Sequence, residues 1–570
     1  MALVINTNVS SLTAQRALAE SSAELETAME RLSTGSKINS AADDAAGLAM
    51  TQRMTAQVRG LAMAVKNAND GQALTQSIEG ALGEVSDMLQ RMRELALQAA
   101  NGTNSSADRT FLQSEVNLLI QEISRVSAST RYNGELILDG TFLNKALQVG
   151  IEEGENIIFS VDSVAAENVG AHTLVGEGVG ARAAQADPLA NPTTEADDIE
   201  IFGYLGTKST AASPGDSAKQ TAVKVNNLTG ETGVKAYAKT YASIESTSAE
   251  QKTYSVKING FTTGNFVISS GDVESAVDAI NQVSGSTGVT ASSSNNKIVL
   301  FDSDGDDITV ENLQTLDGFS DLRVSKLGED GVVTNVVGSA IDLGVSGGND
   351  STRVTGTLKL VSANPFSLDQ KAATTPPTNI TVDDDSIADG NSTLTFDASH
   401  GLAVGASFTI AGEDNSPTHY VTGVSGNDIT FVPALVAGHG VEDGDAITIG
   451  TETPGYYADG SSTATLKDLT QIRVNTAVSA GDSISIIDAA LDKVAQMRSD
   501  LGAIENRLSY TVSNLMNIAE KTADARSRLD DADFALESAR LAKAQVVQQA
   551  GTQMLAQANQ MTQLVLDLLR

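Results

Sequence analysis

Residues 487–518 read IDAALDKVAQMRSDLGAIENRLSYTVSNLMNI, and their spacing decides the architecture. Ile487, Ala490, Val494, Met497, Leu501, Ile504, Leu508, Leu515 and Ile518 recur in alternating steps of three and four residues, with one polar break at Thr511. A period near 3.5 puts them on one stripe of a helix, and such a stripe needs a partner helix to cover it. A matching stripe lies far upstream, in Ile78, Leu82, Val85, Leu89, Met92, Ala96 and Ala99, followed by Leu112, Val116, Leu119, Ile123 and Val126. Neither segment contains proline; all nine prolines fall between Pro188 and Pro454. The simplest arrangement buries the two stripes against each other. The middle of the chain is then an insertion on a coiled-coil stalk.

Working outward, residues 1–35 read as an amphipathic helix with Leu18, Leu25 and Leu32 one heptad apart, broken at Thr34-Gly35-Ser36. Asp43-Asp44 reopens helix with acids at its N-terminus, where the macrodipole favours them. That helix runs to about Ala100; the turn at 101–106 leads to a second helix over Ala107–Thr130. Leu136–Leu138, Leu147–Val149 and Ile157–Phe159 read as short strands. At the other end Val547, Ala550, Met554, Met561, Leu564, Val565 and Leu568 form a wide apolar stripe, and Asp567 is the one acid after Glu537. A helix this apolar with so few charges is expected to pack against other molecules.

The formal charge of −35 is uneven. Residues 1–140 hold 11 Lys and Arg against 16 Asp and Glu, and residues 481–570 hold 9 against 12. The middle 340 carry 17 against 44. Near-balanced ends can pack into an assembly, whereas the anionic middle favours solvent. Nucleic acid is excluded as a partner, since phosphate binding needs concentrated basic residues. No apolar run approaches the roughly 20 residues that span a bilayer, so no membrane insertion is expected. Met1–Ser11 lacks the basic and apolar blocks of a cleaved secretory signal. Cysteine is absent, which rules out disulfides and thiolate chemistry.

The middle holds 18 of the 22 Phe and Tyr residues and is expected to be β-dominated. One submodule reads strand (Tyr254–Ile258), Asn259-Gly260 turn, strand (Phe266–Ile268), helix (Val273–Val283), then strands Val289–Ala291 and Ile298–Leu300. A second contains a repeat: Leu394-Thr395-Phe396 and Phe408-Thr409-Ile410 are answered by Ile429-Thr430-Phe431 and Ile447-Thr448-Ile449. This pattern suggests a small sandwich or barrel. Residues 181–245 and 365–390 read as linkers. His172, His400, His419 and His439 have no ligand spacing and read as surface or turn residues. Asp302–Asp307 begins like a calcium loop, but Asp307 and Leu313 occupy the places where an EF-hand needs Gly and Glu, so it reads as an acidic turn. Asp383–Asp385 reads as a solvated loop. No nucleophile triad, Walker loop or dinucleotide pattern occurs, so neither an enzyme nor a cofactor is expected.

Met1–Asn8, Arg31–Gly47, Asn67–Gly71, Leu89–Ala96 and Leu564–Arg570 closely resemble bacterial flagellins. The resemblance covers about 140 residues at the start and 90 at the end. It implies a structural subunit, exported unfolded through the flagellar type III apparatus, that polymerises outside the cell into the helical filament used for swimming. Its implied partners are other copies of the chain, the flagellar cap, hook-associated proteins and an export chaperone. The terminal helices would be largely disordered until they assemble. The assembly contacts are expected at Leu18, Leu25, Leu32, Met554, Met561, Leu564, Val565 and Leu568. A Toll-like receptor patch is implied at Arg91, Leu95, Gln98 and Glu115, with Leu119 where recognised flagellins often carry a basic residue. Leu566, Leu568 and Leu569 match the part sensed by cytosolic receptors.

The expected fold class is α+β multidomain, with paired N- and C-terminal helices as core and mostly β outer domains inserted between them. The divisions are residues 1–45 and 531–570 as inner-core helices, 46–180 as helical core plus hairpin, 181–475 as outer domains (submodules about 245–330 and 380–455), and 476–530 as C-terminal core helix. Two readings compete: a hook–filament junction protein with the same terminal plan, and a surface adhesin displayed on a filament. The Tyr254–Val310 module is similar to a small repeat in the variable part of many flagellins and hook-associated proteins.

Overall fold

Capping chemistry and proline-free sequence set the helices. In chain order they are α1 (Val9–Thr34), α2 (Ala45–Ala100), α3 (Ser106–Ser129), α4 (Ala218–Asn227), α5 (Thr229–Thr232), α6 (Glu274–Gln282), α7 (Ser284–Thr287), α8 (Ala477–Asp530) and α9 (Phe534–Leu568). The computed structural model describes residues 8–568 except 190, 192–198, 211–214, 249, 270–271, 315–321, 347, 371–380, 383–390, 397–401, 403–406, 412, 414–418, 426, 433, 436–444, 450–454 and 458–459. The side chains of 407, 448–449 and 561–568 also lie outside the description. His400, His439, Asp383–Asp385, Leu569 and Arg570 therefore fall outside it. The chain forms two units: Met1–Ala81 with Arg131–Asp162 and Arg498–Arg570, and Leu82–Thr130 with Ser163–Met497.

In the first unit Asn8 caps α1 by accepting from the Ser11 N–H, and Gly35 ends it in the left-handed region (φ +73°). The Asp44 carboxylate accepts from the N–H groups of Ala46 and Gly47 at the start of α2. The core joins Ala68 of α2 and Leu508 of α8 to Val149 and Ile157 of a hairpin, and nearby Leu61 and Ala64 meet Leu515. The hairpin pairs Lys145–Gln148 with Asn156–Phe159. Gly71 lies beneath it, where an added Cβ would stand 2.5 Å from Leu147 Cδ1 and the leucine side chain would have to shift. The expected first strand is not part of this hairpin. Glu135–Leu136 pairs instead with Arg131–Tyr132 around Asn133-Gly134, both at positive φ.

The stripe of α8 departs from its expected register. Leu508 is fully buried, but beyond it Val512, Leu515 and Ala519 face the core while Ile518 is exposed. A straight helix drifts about 20° per heptad against a 3.5-residue repeat, so a strict seven-residue pattern leaves the seam.

In the second unit Leu82, Val85, Leu89, Met92, Ala96 and Ala99 of α2 are buried, as are Ile487, Ala490 and Val494 of α8. Arg93 pairs with Asp488 at 2.6 Å. Ser105 and Asp108 form a reciprocal capping box on α3. This helix buries Val116, Ile120, Ile123 and Ser127. The expected Leu112, Leu119 and Val126 are half-buried at its flanks. Its rotation is set at the turn, where Arg109 donates to the Ala99 carbonyl at 2.7 Å and the Asn101 carbonyl at 3.1 Å.

The outer part contains two copies of one fold, the second inserted into the first. The first copy runs through strands Ile199–Phe202 and Thr207–Thr210, then α4 and α5, into the long strand Lys235–Ser246. The second runs through Val256–Ile258 and Phe266–Ile268, then α6 and α7, into Val289–Ser294. Core residues Ile201, Ala222, Val225 and Val234 of the first correspond to Val256, Val277, Ile280 and Val289 of the second, each 55 positions on (201 to 256). Asn226 donates to the Ala236 carbonyl at 2.9 Å and accepts from its N–H at 2.8 Å; Asn281 does the same to Ala291 at 2.9 and 2.7 Å. Each amide thus pairs with one residue as a neighbouring strand would, and blunts an open sheet edge.

The closing strands of the first copy, Thr357–Ser362 and Ser367–Gln370, arrive only after the second has closed with Lys297–Asp302 and Ile308–Asn312. The pairings match, since Lys235–Ser246 pairs Thr357–Ser362 as Val289–Ser294 pairs Lys297–Asp302. Much of the expected linker 181–245 is therefore folded. Its Ala- and Thr-rich sequence carries too few large apolar residues to show the pattern.

Among the described residues, the 393–449 region forms a five-stranded antiparallel sheet, and bridges from Thr381 to Ala446 and from Val382 to Phe396 join its two edge strands, so that it closes as the barrel alternative expects. Its repeats face each other about a local dyad: Leu394 pairs Ile429, and Thr409 pairs Thr448. His419, expected at the surface, is fully buried beside Phe408 and Phe431, with its Nε2 2.6 Å from Glu413 Oε2. The strand His419–Ser425 alternates faces, and its first residue points into the core.

Candidate functional site: an assembly surface

In α1, Ser11, Ser21 and Ala28 form the buried face, while Leu18, Leu25 and Leu32 are half-buried on its flank. The partner is α9, running antiparallel. Ser11 Oγ donates to Asn559 Oδ1 at 3.0 Å, and Ser21 Oγ donates to the Ala544 carbonyl at 3.0 Å. Leu18 lies over Gly551, where an added Cβ would stand 3.2 Å from Leu18 Cδ1. Glu537, almost wholly buried, is held by Arg31 at 3.4 Å and Arg540 at 2.8 Å. The seam is thus built from small and polar residues, which sequence periodicity based on leucines could not reveal. The signal was the Ser and Ala spacing at 21 and 28.

The large apolar side chains point elsewhere. Val9, Leu12 and Met29 of α1 are exposed, together with Phe534, Leu536, Val546, Val547 and Met554 of α9; Met554 is 63% exposed. Met561, Leu564, Val565 and Leu568 belong to helix α9, but their side chains lie outside the described residues. So many uncovered apolar groups on two adjacent helices are a general feature of interaction surfaces.

The four receptor-patch positions divide. Arg91 is exposed and donates to Glu115 at 2.9 and 3.0 Å and to Glu94 at 3.0 Å. The Glu115 bond, then Glu94, raises the guanidinium pKa further above its usual range. Gln98 is exposed and Glu115 half-buried, but Leu95 is only 1% exposed and belongs to the core face of α2.

The acidic turn is internally satisfied. Lys219 pairs with Asp304 at 3.1 Å and Asp306 at 2.8 Å, and Arg353 pairs with Asp307 at 3.0 Å. Burial, and then Lys493, depresses the pKa of His172. Among the described residues no group of three His, Asp or Glu side chains suits a metal ion, and no helix is long and apolar enough to cross a membrane.

The N-terminal helical region of bacterial flagellin matches residues 5–143, and the C-terminal helical region matches residues 484–569. The chain is 32% identical to the B-type flagellin of Pseudomonas aeruginosa, 33% to a flagellin of Salmonella typhimurium and 31% to flagellin A of Vibrio cholerae, each over the full length of both chains. The flagellar hook associated protein-3 of Legionella pneumophila is 12% identical over 84% of this chain and 98% of its own, with a TM-score of 0.29, too low to carry an argument for the junction reading. Full-length identity with three flagellins, and both terminal regions matched where the long helices stand, lead to one conclusion: the chain belongs to the bacterial flagellins, extracellular structural subunits that polymerise into the flagellar filament of swimming motility.

Proposed function

We propose that filament assembly buries the exposed apolar rows of α1 and α9, with Leu18, Leu25, Leu32, Met554, Met561, Leu564, Val565 and Leu568 among the subunit contacts. The carrying observation is the mismatch between a small, polar α1–α9 seam and the large apolar groups left outside it. Fully burying a Val, Leu or Met side chain contributes about 1.5–3 kcal/mol. A handful of such groups outweighs what the Ser and Ala seam supplies alone, so the pair gains most of its stability from neighbours. The family is structural, which supports a non-enzymatic reading. The cap, hook-associated proteins and an export chaperone follow from the same membership as proposed partners.

Val546→Asp and Met554→Asp test this reading directly. Both side chains are exposed in the chain itself, so helicity by circular dichroism should be unchanged. In the filament an unpaired carboxylate would be buried at a cost of several kcal/mol, and seeded growth followed by electron microscopy should yield no long fibres. Normal filaments from both variants would defeat the proposal. Long fibres from the wild-type chain also separate the filament role from the junction role.

We further propose Arg91 and Gln98 as the exposed part of the receptor patch, with half-buried Glu115 beside them and Leu95 acting beneath. Arg91→Ala should lower a Toll-like receptor reporter signal without changing the melting temperature, since exposed ion pairs contribute little to stability. Leu95→Ala should lower the melting temperature, by roughly 2–5 kcal/mol of stability. A full signal from Arg91→Ala would remove this patch.

A further inference from the structure

Two adjoining cavities of about 130 and 300 Å³ lie between the first turns of α8 and the sheet strands Lys235–Ser246 and Thr357–Ser362. They share Tyr237, Ser485 and Asp488. Gly481 lines the smaller one, although glycine inside a helix is destabilising relative to alanine. Packing does not demand it, because an added Cβ would meet no atom within 4 Å. What glycine does here is leave the helix backbone open to the cavity.

The charges around these cavities are already matched. Lys239 pairs with Asp482 at 2.9 Å, Lys235 with Asp492 at 3.0 Å and Arg93 with Asp488 at 2.6 Å, while Lys359 bridges Glu329 and Asp482. Glu329 has a second cation, Lys467, at 3.7 Å, so each lysine and carboxylate lining the cavities already has a partner. An ionic ligand would have to break one of these pairs to gain a partner, whereas a neutral ligand with many hydroxyls can share donors and acceptors with all of them. The remaining walls suit the same chemistry. Tyr204 and Tyr237 line the larger cavity, 47% and 40% exposed, and Tyr204 is seated on Gly233, where a Cβ would come within 2.2 Å of its ring. Burial raises the pKa of Tyr237 and keeps its hydroxyl a donor.

We propose that the two cavities form a binding site for a neutral sugar, with a pyranose ring against Tyr237 and its hydroxyls shared among Ser485, Asp488 and the Lys239–Asp482 pair. Apolar ring faces on an aromatic wall, combined with a few convergent polar groups, fit the general make-up of small-ligand sites.

Saturation-transfer NMR on the purified full-length monomer tests it, with D-glucose, D-galactose, D-mannose and N-acetyl-D-glucosamine as probes and glucosamine and glucuronate as charged controls. At least one neutral sugar should receive saturation, and the charged controls less. Gly481→Leu, which fills open space in a helix and should stay folded, is expected to abolish the signal, as is Tyr237→Ala. The proposal is overturned by silence from all four neutral sugars, by a signal that survives Gly481→Leu in a protein of unchanged melting temperature, or by stronger transfer to a charged control.

Discussion

Deletion of residues 535–570 should leave a soluble chain that never polymerises, even when seeded. The deletion removes Ala544, Gly551 and Asn559, so Ser11, Ser21 and Leu18 of α1 lose their partners within the chain. It also removes the exposed Val546, Val547 and Met554. An isolated helix of 26 residues with no covered face is marginal in water, because most helical stability in proteins comes from tertiary packing. Circular dichroism should therefore show a helical loss larger than the deleted residues account for. The cores around Leu508 and around the outer modules contain no residue of α9, so the thermal transition of the remainder should persist. Sedimentation and electron microscopy check the main outcome. Filaments of ordinary length from the truncated chain would mean that subunit contacts lie elsewhere.

Leu89→Ala should cost about 2–5 kcal/mol of stability, the range for opening a cavity in a packed core. Leu89 is fully buried in the row of α2 that also contains Val85 and Met92. Leu97 is the control, since it lies on the same helix and is exposed. Leu97→Ala should shift stability by less than about 0.5 kcal/mol. Because the two substitutions are chemically identical and share one helix, propensity cancels between them and burial alone remains. Chemical denaturation of both variants as monomers gives the comparison. Equal effects would show that the row read as core does not carry the stability of this unit.

The leucine heptads and the apolar stripe of α8 were legible because helical period is a local property of the chain. Their exact covering was not. Ile518 follows the heptad yet faces solvent, and Leu112, Leu119 and Val126 yield the core of α3 to Ile120 and Ser127. Rotation about a helix axis depends on what the turn fastens, and Arg109 on the Ala99 carbonyl is such a fastening. Leu95 is a sharper case. Four residues from Arg91, it shares a face in projection, but a short angular difference separates an exposed guanidinium from a buried core group.

What the sequence determined by itself was the plan: proline-free striped ends, an anionic β-rich insertion, and terminal motifs that place the chain among flagellins. These follow from local periodicity, composition and order, which need no contact between distant residues. Only the tertiary structure decided that small residues, not leucines, form the α1–α9 seam, that residues 199–246 fold as the first of two nested copies, and that His419 is buried. Each of these depends on which distant backbone approaches which side chain. The first copy, for instance, is completed by strands that lie more than a hundred residues after its own long strand, with the second copy between them in the chain.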